Sequence, residues 1–65
     1  MQRIPVTSSH VASLGYDPES GTLEVEYKNG QVYQFTATLQ QYEAIMQAPS
    51  IGSAIRGLGK GTKVS

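Results

Sequence analysis

Between Leu23 and Phe35, apolar and charged side chains alternate on both sides of an Asn29-Gly30 pair, which is the pattern of a β-hairpin. The length of the loop decides which face each side chain takes. A two-residue loop would pair Tyr27 with Val32 and put Tyr33 and Phe35 on one face with Glu24 and Glu26, burying carboxylates or exposing aromatics. A three-residue loop, with Lys28 and Asn29 in a type I turn and Gly30 left-handed, pairs Tyr27 with Gln31, Val25 with Tyr33 and Leu23 with Phe35. One face is then apolar, and Glu24, Glu26, Val32, Gln34 and Thr36 occupy the other. The bulged turn is the expectation.

Upstream, Val11–Tyr16 reads as a strand, and Asp17-Pro18-Glu19-Ser20-Gly21 supplies turn residues that join it to Thr22–Lys28 in a first hairpin. Ala12, Leu14 and Tyr16 alternate with Val11, Ser13 and Gly15. Pattern alone leaves open which set enters the core, and an exposed Leu14–Tyr16 set would be an association surface. After Phe35 the apolar period changes to about 3.6. Thr38-Leu39-Gln40-Gln41 matches a capping box, with Leu39, Tyr42, Ile45 and Met46 on one helical face and Pro49 as the stop. Ser50 is an N-cap for a second helix carrying Ile51, Ala54, Ile55 and Leu58 as its apolar stripe. The expected fold is one α+β domain over residues 1–65: a three-stranded antiparallel meander covered on one face by two C-terminal helices, β-β-β-α-α. Residues 1–9 read as an N-terminal arm and 59–65 as a flexible basic tail.

Size changes this picture in one respect. A chain of 65 residues without cysteine has a core that barely offsets chain entropy and no disulfide or zinc-thiolate staple, so a homo-oligomer is expected. No charged leader with an apolar run and no bilayer-length apolar stretch is visible, which points to a cytoplasmic protein without a membrane partner. The formal net charge is zero, unlike that of strongly basic nucleic-acid binders. That balance is uneven along the chain: all five acids lie before residue 44, whereas Arg56, Lys60 and Lys63 follow it with no acid among them.

Candidate chemistry is correspondingly narrow. With a single histidine and no cysteine, no metal site and no cofactor are expected, and a Ser-His catalyst would have to use His10 beside Ser8 and Ser9, where adjacency in sequence is not catalytic geometry. Glu24 and Glu26 read as solvated strand charges. Gly57-Leu58-Gly59-Lys60-Gly61-Thr62 fails the phosphate-loop pattern, because Gly61 stands where Ser or Thr must follow Gly-Lys. Ser50, Gly52 and Ser53 place hydroxyls and open amides at a helix N-terminus that favours an anion, with Arg56 one turn on. Tyr33 and Phe35 fall on the core face, leaving Tyr16 as the freer ring for a stacked base.

The ordered set resembles the KTSC domain, a short bacterial and phage module also found at the C-terminus of some lysyl-tRNA synthetases. The matching residues are Val6, Ser8, Gly15-Tyr16-Asp17, Leu23-x-Val25-x-Tyr27, Gly30, Tyr33-Gln34-Phe35, Tyr42 and Ala48-x-Ser50-x-Gly52. Phe35 replaces a second tyrosine, Thr38-Leu39 a usual Val-Pro, and Ala54-Ile55 an aromatic pair. The resemblance implies RNA binding as the usual suggestion. Together these readings lead to a non-catalytic nucleotide- or RNA-binding module using Ser8, Ser9, His10, Tyr16, Ser50, Gly52, Ser53, Arg56 and Lys60. The alternatives are a phage-encoded anti-defence sponge for a host cyclic-nucleotide signal and a small protein-protein interaction module.

Overall fold

In the computed structural model, which describes residues 2–65, one antiparallel sheet contains β1 (Arg3–Pro5), β2 (Val11–Asp17), β3 (Thr22–Tyr27), β4 (Val32–Thr36) and β5 (Thr62–Lys63). Helices α1 (Leu39–Gln47) and α2 (Ile51–Arg56) follow β4, and neither is long and apolar enough to cross a membrane. The strand order is β1-β2-β3-β4-β5, so the α+β class and the central meander stand, but the sheet has five strands, not three. Both extra strands come from segments expected to be an arm and a tail. Each is too short to carry an alternating pattern, and it forms because the meander's outer strands expose unpaired N–H and C=O groups that a neighbouring segment satisfies.

The second hairpin has the bulged turn. Leu23 lies opposite Phe35 and Val25 opposite Tyr33, Tyr27 N–H donates to Gln31 O at 2.8 Å, and Gly30 has φ +91°. The open question on β2 is resolved by another irregularity: Val11 pairs with Tyr27 and Ser13 with Glu26, the register shifting at Ala12. That β-bulge lets Val11 and Leu14, three residues apart, both face the core with no exposure. Leu14 is therefore no association surface.

Leu23, Val25, Phe35, Ala37, Ile45, Ile51 and Ile55 complete the core between sheet and helices. Helix α1 begins with the expected capping box, Thr38 accepting from Gln41 N–H while Gln41 Oε1 accepts from Thr38 N–H. Leu39, expected on its core face, is instead 52% exposed and lines a surface groove with Ile4 and Tyr42. The other sheet face is a polar lattice. Arg3 crosses over Gly15 to Glu24 at 3.2 Å, Gln34 donates to Glu24 at 3.0 Å, and Ser13 donates to Glu26 at 2.9 Å. A Cβ on Gly15 would sit 2.8 Å from the Gln2 carbonyl oxygen, so only glycine admits β1 this closely.

Candidate functional site

Tyr27 ends β3 and Tyr33 lies on β4, both half-buried and packed against the core on the helix side of the sheet. Their rings meet edge to face at 5.6 Å and 84°. Burial pushes the Tyr27 phenol above its usual range, Tyr33 adds to the rise, and the nearby Arg56 guanidinium pulls the other way. Arg56 is the last residue of α2 and is exposed. Beside these groups Ser9, His10, Tyr27, Lys28 and Asn29 line a cavity of about 390 Å³. Lys28 N–H donates to His10 O at 2.9 Å, which ties the approach to β2 to the hairpin loop. Ser9 Oγ and His10 Nδ1 are 3.0 Å apart. None of the lining residues is acidic, and the one ion pair among the described residues, Arg3–Glu24, is on the opposite face. The result is a donor-rich, cationic surface with two phenols in it.

The sequence-predicted residues divide between this surface and other places. Ser9 and His10 line it, and Arg56 is near enough for its charge to act on the Tyr27 phenol. Ser8 stands behind it, its Oγ accepting from the N–H groups of His10 and Val11 at 3.3 Å each, so its hydroxyl shapes the turn into β2. The cluster at Ser50 does not join Arg56: α2 has six residues, which puts Ser50 and Arg56 about 9 Å apart along the axis. Ser50 Oγ accepts from Ser53 N–H at 3.4 Å and donates to Ser53 Oγ at 3.1 Å, the hydrogen bonding of a helix cap, while nothing lies within 4 Å of the Cβ position of Gly52. Tyr16 is not a free ring. It faces the helices, stacks on Tyr42 at 5.2 Å and donates to Ala37 O at 2.8 Å. Lys60 is exposed in the segment between α2 and β5.

Sequence reasoning missed Tyr27, Tyr33 and Lys28, because alternation assigns the tyrosines to the core face without saying where the covering helices end. The available signal was the brevity of the second helix, whose stripe ends at Leu58 among Gly57, Gly59 and Gly61. The KTSC domain model matches residues 7–58. The chain belongs to the KTSC domain family. An uncharacterized protein of Stutzerimonas stutzeri (strain A1501) is 42% identical over 53 residues, 80% of this chain and 75% of that protein. The crystal structure of a KTSC domain protein from Yersinia pestis is similar with a TM-score of 0.80 and 35% identity, over 97% of this chain and 90% of that one.

Proposed function

We propose that this KTSC domain is a non-catalytic module that binds the phosphate of a nucleotide or RNA at the surface formed by His10, Tyr27, Lys28 and Arg56. The observation that carries the reading is one cavity lined by His10, Tyr27 and Lys28 with no carboxylate, its Tyr27 ring set edge to face on Tyr33 and its phenol within the influence of the Arg56 charge. A guanidinium meets phosphate oxygens with two parallel hydrogen bonds, and the Ser9, Asn29 and Tyr27 groups add neutral donors. Phosphate contacts of this kind weaken as salt rises. The test is a thermal-shift and titration series with uridine monophosphate, a cyclic dinucleotide and hexauridylate at two salt concentrations. A bound probe at 100 times its dissociation constant raises stability by about 2.7 kcal/mol, and higher salt should reduce the effect. No shift with any of the three overturns the reading; a response confined to the cyclic dinucleotide favours the sponge role.

A second reading, a protein contact including self-association, has one observation behind it. Ile4, 49% exposed, and Leu39, 52% exposed, flank a groove of about 510 Å³ with Tyr16, Pro18 and Tyr42 on its walls. Light scattering of wild type against Leu39→Lys separates the readings: a particle larger than one chain that reverts to a monomer in the variant favours the groove.

A further inference from the structure

We propose that the C-terminal strap is part of the phosphate site: β5 sets Lys63 beside Tyr33, and the surface so extended fits a single-stranded oligonucleotide rather than a mononucleotide. This rests on the reading above and adds a residue outside the 7–58 span that the family model matches.

The placement follows from register. Lys63 is the direct cross-strand partner of Tyr33, and directly opposed residues of an antiparallel pair point to the same face with Cβ atoms about 5 Å apart. Tyr33 touches Tyr27, which lines the cavity with His10 and Lys28. The strap is not loosely laid on. A Cβ on Gly61 would come within 2.5 Å of the Phe35 ring, so the backbone there lies directly against the aromatic. Beyond β5, Val64 N–H donates to Val32 O at 2.8 Å and Val32 N–H donates to Ser65 O at 2.8 Å. These contacts hold the backbone around the exposed Lys63, and no ion pair engages its ammonium among the described residues. Glu24 and Glu26, the acids nearest in the sheet, project from the opposite face.

Distance then selects the ligand. His10 leads into β2 and Lys63 is on β5, three inter-strand steps away, or at least about 14 Å. One phosphate cannot bridge those ends, whereas successive phosphates of one strand can contact Lys28, Arg56 and Lys63 in turn, with the sugar-base units passing over the tyrosines.

Fluorescence anisotropy of the full chain with labelled hexauridylate, and competition by uridine monophosphate, test this. Lys63→Ala should weaken hexauridylate about fivefold and lower the slope of log affinity against log salt by about 0.7, while uridine monophosphate affinity stays the same. Lys63→Arg should restore both quantities. An unchanged hexauridylate affinity and slope in Lys63→Ala, with wild type still binding, overturns the inference and leaves the proposed function intact. An equal loss for uridine monophosphate overturns the cross-strand path. If wild type binds neither probe, this inference is overturned, and the proposed function falls with it unless the cyclic dinucleotide binds.

Discussion

The two faces of the sheet draw on the same residue types and treat them differently. On the outer face Arg3 and Glu24 neutralise each other, Gln34 from a third strand donates to Glu24, and Ser13 donates to Glu26. At the hairpin end Lys28 and Arg56 are exposed with no ion pair among the described residues, and Tyr27 and Tyr33 lie on strands whose acids, Glu24 and Glu26, face the other way. A cation beside its counterion on a sheet lattice is a structural element. A cation whose neighbours are rings and donors is available to an anionic ligand. The difference lies in what the register places alongside each charge.

The largest expected effect breaks the comparison from the ligand side. Arg56→Ala should cost about 1.5–3 kcal/mol of hexauridylate binding, with Arg56→Lys intermediate because an ammonium cannot reproduce the two parallel bonds. Glu24→Gln should leave binding unchanged and lower stability by no more than about 1 kcal/mol. Calorimetric titration and urea unfolding of the three variants check this, and an equal binding loss in Glu24→Gln would erase the distinction between the faces.

Next comes a structural break on the outer face alone. Gly15→Val forces side-chain atoms into the Gln2 carbonyl and the Arg3 side chain, so β1 must shift or detach at a cost of about 1–3 kcal/mol in urea unfolding. The folded fraction should still bind hexauridylate as tightly as wild type, because β1 contributes nothing to the hairpin-end surface. A matching loss of affinity would show that the two faces are coupled.

The smallest effect needs no ligand. Because the Tyr27 phenol is raised above 10.0 in the folded chain, the folded state holds this proton more tightly than the unfolded state. Its stabilising contribution is complete below pH 10 and is lost as pH rises through the raised value. Tyr27→Phe should flatten that alkaline decline. Arg56→Gln removes the charge that opposes the shift, so ultraviolet titration should show Tyr27 ionising at still higher pH. An unchanged curve would mean that Arg56 is not beside the phenol.

Local chemistry was enough to read the hairpin register, since only the bulged turn at Gly30 keeps carboxylates off the apolar face, and enough to read both helix caps, since Thr38, Gln41 and Ser50 bond to amides within their own turn. The family was legible for the same reason, being an ordered series of such positions. The facing of β2 was not, because a bulge at Ala12 shifts the register without leaving any residue type that marks it. Half of the candidate site was equally hidden. His10 and Arg56 could be chosen by chemistry, but their meeting at Tyr27, the separation of Arg56 from Ser50 and the docking of Lys63 beside Tyr33 depend on where α2 ends and on two edge strands of three and two residues. Strands that short have no periodicity of their own: the chain's alternation and caps determine its local elements, whereas the unpaired backbone of the finished meander decides what becomes its edges and which cations those edges bring together.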